Sequence, residues 1–511
     1  MTRTLDLPSR ARELLAAARD VLGDAEAYVV GGTVRDALLG LPLADLDLAV
    51  AGDAPETARA LADRLVGHYV LLDAGRGTAR IVLDEGPIRV IDVARLQGTI
   101  EDDLAARDLT IDALAAPLVG GDVLDPHGGL GDLESRTVRL VSEQALVDDP
   151  LRLLRAVRLA TQLDFAIEPA TADALRRHAG RIGRAAAERQ RDELARCLST
   201  GRAAHALRLM DQHSLLEALL PEVTAGRGVS QPKEHYYDVF DHAIETVASL
   251  DFMLAAEAPP DARERDFWEA LWGGLSFLPE LRAYLAEEVS EGRSRAALLK
   301  LAGLLHDVAK PETRKPDETG RIRFFGHAEQ GAETARRIMQ RFRFSRRETD
   351  FVSRMVEEHL RPGQLSDEGP PSRRALFRFF RDTGEAAEGV LLLSLADALA
   401  ARGPGMTIEG WRSHVAYIAH VLARRNEDES IARPPRLVTG DDLMAALGIG
   451  PGPEVGRLLH AIEEALGAGD IATREEAIEL ARRLREGNAR ALLRPAVTRR
   501  RERALIAAGG A

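Results

Sequence analysis

The chain has 511 residues, more than one hydrophobic core usually serves, so we expect several domains. Hydrophobic residues make up 45% of the chain and aromatic residues only 4%, a composition typical of a largely helical globular protein. The net charge of −13, taken alone, argues against a nucleic-acid partner. Arginines nevertheless cluster in stretches such as 152–158, so local basic patches stay open.

The sequence also bears on the cellular compartment. The first twenty residues carry alternating charges, and no uncharged run has the length that crosses a bilayer, so we expect neither a secretory signal nor a membrane span. The single cysteine, Cys197, cannot form an internal disulfide, which fits a reducing compartment. We therefore expect a cytoplasmic protein.

Hydrophobic periodicity divides the chain into segments. Strand-like and helical runs alternate from about residue 28 to 125, which predicts an α/β domain, and beyond about 147 the apolar spacing is helical. The predicted boundaries give an N-terminal domain at 1–146, three helical segments at 147–232, 233–424 and 425–495, and a basic, disordered tail at 496–511.

The first motif is "YVVGGTVRDALLGLPLADLDLAV", residues 28–50. Residues i and i+2 of a strand point to one face, so Asp45 and Asp47 project together. Two carboxylates on one face repel each other unless cations lie between them, and a pair of Mg²⁺ ions that holds a triphosphate meets that need. The alternative for a lone D-x-D is a solvated strand end.

Residues around this pair favour the metal site over a strand end. Gly31 and Gly32 precede a predicted helix, where backbone N–H groups can approach phosphate oxygens, and Arg35 adds positive charge. Asp92, in the apolar run "VIDVAR", is a candidate third catalytic carboxylate. A strand-end aspartate is the alternative for Asp92.

A second motif, "VDDPLRLLRAVRLATQL", places Asp149, Arg152, Arg155 and Arg158 at intervals of three on one helix face. Cytosine and adenine each show an exocyclic amine beside a ring-nitrogen acceptor, which an Asp/Arg pair matches, whereas uracil and guanine show the opposite pattern. The face therefore predicts selection of CTP and ATP. The alternative is only a well-started helix, since Asp149 and Pro150 suit its first positions.

A third set of residues lies in the helical middle of the chain. Imidazole and carboxylate groups there follow the order H, HD, H, H, D, and such ligands suit transition metals or Mg²⁺. Any single histidine of the set has a structural alternative, as a capping, surface or core residue. The six residues are His242, His306, Asp307, His327, His359 and Asp397.

The ordered runs "VVGGTVRDALLGLPLADLDLAV", "DLAARDLTIDALA", "LDPHGGLGDLESRTVRLV", "DDPLRLLRAVRLATQLDFAIEPAT" and "AERQRDEL" resemble the bacterial tRNA nucleotidyltransferase and poly(A) polymerase family, with a polymerase-β-like head. The resemblance implies a two-metal mechanism with three groups of residues. They are Asp45, Asp47 and Asp92 for catalysis, the first two as Mg²⁺ ligands; Gly31, Gly32, Arg35, Arg107 and Asp108 at the triphosphate or sugar; and Asp149, Arg152, Arg155 and Arg158 at the base.

The middle of the chain resembles the HD phosphohydrolase superfamily, and the last segment resembles the C-terminal region of the same tRNA enzymes. These resemblances imply an α+β nucleotidyltransferase head with a mixed sheet at 1–146, an RNA-binding helical neck at 147–232, an HD domain at 233–424 and a tRNA-binding helical region at 425–495. The HD site is expected to hold a divalent transition metal or Mg²⁺ and to hydrolyse phosphoesters, a metal-free structural HD fold being the alternative.

The resemblance predicts transfer of CMP and AMP from CTP and ATP to the 3′ end of tRNA without a template. It predicts neither a DNA partner nor binding to a membrane. Two departures keep other outcomes open. The usual R-R-D-F-T-I-N-A reads A-R-D-L-T-I-D-A at 106–113, and "LQGTIED" is short where many CCA-adding members have a flexible loop. The alternatives are a CC-adding enzyme, a poly(A) polymerase, or an HD phosphohydrolase with an inactive, RNA-binding head. The oligomeric state stays open.

Overall fold

A computed structural model describes residues 4–232, 235–275, 277–290, 292–365, 369–427 and 435–487. The chain divides into two compact units. The N-terminal unit comprises Met1–Thr224 with Arg341–Phe344, and the C-terminal unit comprises Ala225–Gln340 with Ser345–Ala511.

The N-terminal unit contains a six-stranded sheet, helices and short connections. Its strands are β1 (Ala27–Val30), β2 (Asp45–Val50), β3 (His68–Asp73), β4 (Thr78–Val82), β5 (Val90–Arg95) and β6 (Ala115–Pro117), with a separate pair β7 (Thr137–Val138) and β8 (Ala166–Ile167). Its helices are α1 (Ser9–Leu22), α2 (Gly32–Leu38), α3 (Ala54–Leu65), α4 (Ile100–Ala105), α5 (Gly129–Glu134), α6 (Gln144–Asp148), α7 (Arg152–Leu163), α8 (Pro169–His178), α9 (Ala187–Leu198), α10 (Ala203–Gln212), α11 (Leu215–Leu219) and α12 (Pro221–Thr224), with 3₁₀ turns at Thr110–Asp112 and Ala179–Arg184.

The main sheet is mixed, with strand order β3-β4-β5-β2-β1-β6. Only the pairing of β2 with β5 is parallel; the other neighbours are antiparallel. In that parallel pair Asp47 lies opposite Asp92. Because side chains alternate along a strand, Leu46 and Leu48 enter the core, where α3 packs against β4 and β5, and the aspartates face the other way.

The chain crosses from β5 to α4 in four residues, 96–99. A reciprocal capping box starts α4 at once: the Thr99 hydroxyl accepts from the backbone N–H of Asp102, whose carboxylate accepts from the N–H of Thr99. The segment after α4 leads into the Thr110–Asp112 turn, whose three residues are all buried. This turn packs against α2 and α5, which fixes the position of Asp112.

The C-terminal unit is almost entirely helical. Its helices are α13 (Val239–Met253), α14 (Ala262–Gly274), α15 (Leu278–Ala286), α16 (Arg295–Leu305), α17 (Lys310–Thr313), α18 (His327–Arg341), α19 (Arg346–Glu358), α20 (Arg373–Thr383), α21 (Ala387–Arg402), α22 (Ile408–Glu427), α23 (Gly440–Leu447), α24 (Pro453–Ala468) and α25 (Arg474–Arg485). Its short strand pairs are β9 (Glu288–Ser290) with β10 (Arg293–Ser294) and β11 (Arg314–Pro316) with β12 (Ile322–Phe324), and 3₁₀ turns lie at Pro362–Gln364, Gly384–Ala386 and Gly403–Gly405.

The centre of the C-terminal unit is formed by α13, α16 and α21, which contact one another, while α19 packs on α16 and α21. Apolar side chains such as Leu250, Leu305 and Leu393 fill the space between these helices and are fully buried. The helix ends nearest this core carry the histidines and aspartates described below.

The structure confirms the predicted fold class, an α+β head with a mixed sheet followed by helices. The finer division into five segments stays a prediction. The tail predicted at 496–511 lies outside the described residues, as do residues 428–434 near the start of the segment predicted at 425–495. Among the residues that the structure describes, no helix combines the length and the apolar character needed to cross a membrane.

Gly129 offers a test of how tightly the Thr110–Asp112 turn is held. A Cβ at Gly129 would lie 2.2 Å from the carbonyl oxygen of Thr110 and 3.1 Å from Leu114, so Gly129→Ala must displace backbone. We expect the free energy of unfolding to fall by about 1–3 kcal/mol, as for other overpacked sites, in chemical denaturation followed by circular dichroism.

Gly131→Ala in the same helix is the matched control. A Cβ at Gly131 meets nothing within 4 Å, so the better helix propensity of alanine is expected to leave stability unchanged or raise it by up to about 1 kcal/mol. Equal effects of the two substitutions would contradict the role given to the Gly129 contact.

Candidate active site and metal centre

The aspartates of the central strands share one face of the sheet. Asp45 and Asp47 are two residues apart on β2, and Asp47 lies directly opposite Asp92 of β5. Burial and the like charges of Asp45 and Asp92 raise the pKa of Asp47 to about 7, and burial with Asp36 and Asp92 also raises the pKa of Asp45. A cation between these carboxylates relieves the repulsion, so the residues present fit the predicted Mg²⁺ ions.

Asp92 has a partner that the sequence did not reveal. Arg80 of β4 lies opposite Asp92 in the antiparallel register and donates to both its carboxylate oxygens, Nε at 2.8 Å and Nη2 at 2.9 Å. Among the described residues, the three carboxylates of Asp45, Asp47 and Asp92 do not bring ligand atoms within 4.8 Å of one another. The catalytic role of Asp92 stays a prediction.

Two glycines allow a close approach of charged groups to this face. Nη2 of Arg35 and Oδ2 of Asp47 lie 3.5 and 3.6 Å from the position that a Cβ at Gly32 would take, so both groups border this glycine. Gly31 has φ +65°, and a Cβ there would lie 2.5 Å from Nη1 of Arg107. Burial raises the pKa of both aspartates, and the charge of Arg35 near Asp45 and of Arg107 near Asp47 opposes that rise.

Asp112 connects the arginines of this region. Its side chain is only 1% exposed, and its two oxygens accept from Nη1 of Arg35 and, at 3.2 Å, from Nη2 of Arg155. Arg107 donates to its backbone carbonyl at 3.3 Å. Burial alone raises the pKa of Asp112, but the arginines outweigh burial and hold it below the ordinary value, so the carboxylate stays ionised.

The predicted base-selecting helix α7 begins beside this region. Asp149 accepts from Nη1 and Nη2 of Arg189 on α9, at 3.2 and 2.7 Å, and not from Arg152. Arg152 donates to the carbonyl of Ala106 at 3.1 Å. A cavity of about 500 Å³ is lined by Asp149, Arg152, Arg189 and Arg107, among others. Acidic and basic side chains share its lining.

The remaining members of the predicted arginine row have other partners. Arg155 pairs through Nε with Asp108 at 3.0 Å as well as with Asp112, and Arg158 pairs with Glu193 of α9 at 2.7 Å. Arg189 and Glu193 belong to the motif "AERQRDEL" in α9, which the sequence analysis identified. The partners of these two residues on α7 could not be predicted from one sequence.

The C-terminal unit brings six titratable residues together. His242 lies on α13 and Asp397 on α21, and the other four lie at or next to the ends of α16, α18 and α19. Two groups of potential ligand atoms lie within 4.8 Å of one another and share Asp307. They are His242, His306 and Asp307, and Asp307, His327 and His359. Asp397 completes the cluster, with Oδ1 3.0 Å from Nε2 of His242.

Backbone contacts orient three of these imidazoles. Nδ1 of His306, His327 and His359 lies 2.8, 2.7 and 2.7 Å from the carbonyl oxygen three residues earlier. A carbonyl oxygen only accepts, so Nδ1 carries a proton and Nε2 is the ring atom that faces the cluster, as in metal-ligating histidines.

Charge also favours a cation in this cluster. Burial disfavours a charged ring, but the carboxylates of Asp307 and Asp397 raise the pKa of His306 to about 10. Lys310 supplies one positive charge, with Nζ 2.6 Å from Asp307. Protonated His306 supplies a second positive charge beside the carboxylates of Asp307 and Asp397, and a divalent ion on the oriented Nε2 atoms would take the place of that proton. The residues fit a metal centre.

A cavity of about 1040 Å³ opens onto this cluster. Its walls include His235, His414 and Arg361, which no sequence motif indicated. They also include the side chain of Phe325, which is 76% exposed. Burial and nearby Lys310 lower the pKa of His235 to about 4, so its ring is neutral at physiological pH. The cavity gives the cluster access to a substrate of nucleotide size.

Comparison with known proteins assigns the family. The model of the poly A polymerase head domain matches residues 27–139, that of the RNA and SrmB-binding site of polymerase A 164–226, that of the HD domain 280–402, and that of the tRNA nucleotidyltransferase domain 2 417–481.

Full-length relatives and a solved structure agree with these matches. The A-adding tRNA nucleotidyltransferase of Deinococcus radiodurans is 36% identical over 88% of this chain and 94% of its own. The CC-adding tRNA nucleotidyltransferase of Thermus thermophilus is 37% identical over 88% of this chain and 92% of its own. A CCA-adding enzyme in an apo form has a similar fold, with a TM-score of 0.58 and 22% identity over 92% of each chain. The chain belongs to the tRNA nucleotidyltransferase family, and it is a nucleotidyltransferase with an HD domain.

The metal centre leads to a prediction for His306. His306→Ala removes an oriented Nε2 and is expected to weaken binding of a divalent ion by about 10-fold or more, measured as metal per chain by mass spectrometry after dialysis. His420→Ala, an exposed histidine on α22, is the control and is expected to retain the metal. Unchanged metal content in His306→Ala would mean that the HD cluster is purely structural.

Proposed function

We propose that this enzyme transfers CMP and AMP from CTP and ATP to the 3′ end of tRNA, adding or repairing the CCA sequence without a template. The observation that carries the proposal is the common face of Asp45 and Asp47, bordered by Arg35 and Arg107 and followed by the base-sized cavity at Asp149. The relatives from Deinococcus and Thermus, named for partial reactions of this kind, support it.

In the proposed reaction Asp45 and Asp47 hold two Mg²⁺ ions. When bound, such ions stabilise the charge that develops on the triphosphate and make the attacking 3′-hydroxyl more acidic. Arg35 and Arg107 lie where they can orient the phosphates, and Gly31 and Gly32 leave room for that approach. The 3′-oxygen of the tRNA forms a bond to the α-phosphorus, and pyrophosphate leaves.

Selection of the base is assigned to the start of α7. Partial burial raises the pKa of Asp149, but the hydrogen bond from Arg189 outweighs burial and keeps it below the ordinary value. Asp149 is then an acceptor only. Its Oδ1 accepts from Arg189 and from the backbone N–H of Leu151, and its Oδ2 accepts from Arg189 alone, so Oδ2 retains a lone pair for an exocyclic amine. Arg152, at the same cavity, is the donor to the ring nitrogen, so cytosine and adenine fit and uracil and guanine do not.

A second candidate is addition of CC alone. The connection between β5 and α4 has only four residues, where the resemblance leads us to expect a longer flexible loop in enzymes that switch from C to A. The Thermus relative is named as CC-adding, and the Deinococcus relative as A-adding. Poly(A) synthesis is the remaining alternative in this class.

For the C-terminal unit we propose a phosphohydrolase activity at the HD cluster, with a divalent transition metal or Mg²⁺ bound there. The shared Asp307 and the oriented Nε2 atoms support two metal positions. An HD phosphohydrolase with an inactive head is disfavoured because Asp45 and Asp47 keep their common face.

The buried, free thiol of Cys197 supports a cytoplasmic setting.

The decisive experiment measures product length. The purified protein is incubated with a tRNA that lacks its last three nucleotides, in the presence of CTP alone, ATP alone, or both. An enzyme that adds CCA is expected to add two nucleotides with CTP alone and three with CTP and ATP together. A CC-adding enzyme is expected to add two nucleotides in either case, and an A-adding enzyme is expected to add none to this tRNA with CTP. A poly(A) polymerase is expected to make a long product with ATP.

The same assay tests Asp47. Asp47→Asn keeps the size of the side chain and removes its charge, so we expect transfer to fall by at least about 100-fold, the scale of losing a preorganised electrostatic group. Asp63→Asn, an exposed carboxylate on α3, is the control and is expected to transfer normally. Normal incorporation by Asp47→Asn would refute the two-metal assignment.

The base-selection assignment leads to a prediction for Asp149. Asp149→Asn introduces a donor that suits the uracil carbonyl, so the preference for CTP over UTP, measured as a ratio of kcat/KM, is expected to fall by about 10- to 100-fold. Asp148→Asn, the exposed neighbour bonded to Gln144, is the matched control. An unchanged ratio in Asp149→Asn would show that another residue selects the base.

A further inference from the structure

Asp112 is a buried charge for which the proposed reaction gives no role. It lies in the Thr110–Asp112 turn between Ile111 and Ala113, which are fully buried, and its own side chain is 1% exposed. An isolated carboxylate in such a place costs several kcal/mol and is tolerated only with charged or hydrogen-bonded partners. Its partners therefore determine what it contributes.

Those partners come from two different parts of the site. One oxygen of Asp112 accepts from Nη1 of Arg35, on α2, and the other accepts from Nη2 of Arg155, on α7, at 3.2 Å. Arg35 is the guanidinium that faces Asp47 across Gly32, and α7 is the helix that begins at the base cavity. The carboxylate of Asp112 thus connects the part of the site proposed to bind the phosphates, at Arg35, with the part proposed to bind the base, at α7.

The bridge requires a carboxylate. An asparagine offers one acceptor oxygen and an NH₂ group, so it can satisfy one guanidinium and must present donors to the other. The aspartate at this position can therefore hold two arginines, whereas an asparagine could accept from only one.

We propose that Asp112 is a positioning residue that couples triphosphate binding to base selection, because its two oxygens fix Arg35, beside the predicted metal carboxylates, and Arg155, a residue of the base-selecting helix α7. The inference rests on the proposed function. Arg155 also lies close to Asp108, with Nε 3.0 Å from Oδ2, but this ion pair lacks hydrogen-bond geometry, so the hydrogen bond to Asp112 orients the guanidinium. Arg155 then holds α7 against the 108–112 segment rather than contacting the base.

A competing role for Asp112 is simple charge compensation. On that view, removal of its charge leaves the geometry intact and makes the site more positive, so phosphate binds more tightly. On the positioning view, removal releases one of two arginines, so phosphate binds more weakly and the choice of base becomes less strict. The two roles predict opposite changes in affinity.

The test uses the full-length protein and isothermal calorimetry with Mg²⁺ present. Dissociation constants are measured for CTP, UTP and inorganic tripolyphosphate on the wild type and on Asp112→Asn. Asp132→Asn is the control for disturbance of the turn itself. Asp132 is a buried carboxylate that pairs with Arg139 and accepts from the hydroxyl of Thr110 in the same turn, but it contacts neither Arg35 nor Arg155. Transfer of CMP to truncated tRNA by the wild type, measured separately, tests the proposed function itself.

We expect Asp112→Asn to weaken tripolyphosphate and CTP binding by about 10-fold and to lower the preference for CTP over UTP, while Asp132→Asn affects thermal stability only. Tighter or unchanged tripolyphosphate binding with an unchanged CTP preference would overturn the proposal, as would the same loss in Asp132→Asn.

Arg155→Lys is the second variant, and it decides the matter if Asp112→Asn does not fold. Lysine keeps the charge but lacks the fork that reaches Asp108 and Asp112 together. We expect it to lower the CTP preference and to weaken tripolyphosphate binding, although Arg155 lies on the base side. Unchanged tripolyphosphate binding in Arg155→Lys would show that the two sides are not coupled through Asp112.

Discussion

The alternation of side chains along β2, fixed by its parallel register with β5, is the constraint on which the nucleotide site depends. It sends Leu46 and Leu48 into the core and Asp45 and Asp47 to the opposite face. A slip of one residue would exchange the two sets, burying the carboxylates among apolar side chains. The buried leucines therefore maintain the position of the catalytic aspartates, and the hydrophobic core and the chemistry are set by one register.

Each unit contains a buried carboxylate that needs nearby positive charge, and the two units supply that charge with different groups. In the N-terminal unit, guanidinium groups from α2, α4–β6 and α7 surround the buried carboxylate of Asp112. In the C-terminal unit, imidazoles surround Asp307, and backbone carbonyls fix their protons on Nδ1. Guanidinium keeps its proton at any physiological pH, whereas imidazole exposes a lone pair once deprotonated. The first arrangement suits a permanent scaffold for anions, and the second suits a metal.

The sequence predicted the mixed-sheet head, the helical remainder and the residues that share faces, because periodicity and motif order carry that information. It did not predict the contacts of long side chains. Asp149 was expected to act beside Arg152, and its partner is Arg189; Asp92 was expected to be catalytic, and Arg80 binds both its oxygens. Such pairings join residues 12 to 40 positions apart, and their choice depends on tertiary packing that no local pattern encodes.

The four-residue connection between β5 and α4 has a consequence for the thermodynamics of substrate binding. Both its ends are anchored, one in the sheet and one in the capping box at Thr99, so it has few conformations to lose. The connection therefore fixes the start of α4, whose Asp103 lines the cavity at Asp149, before a nucleotide binds. Little ordering entropy is then lost at Asp103 on binding, and more of the interaction energy appears as affinity.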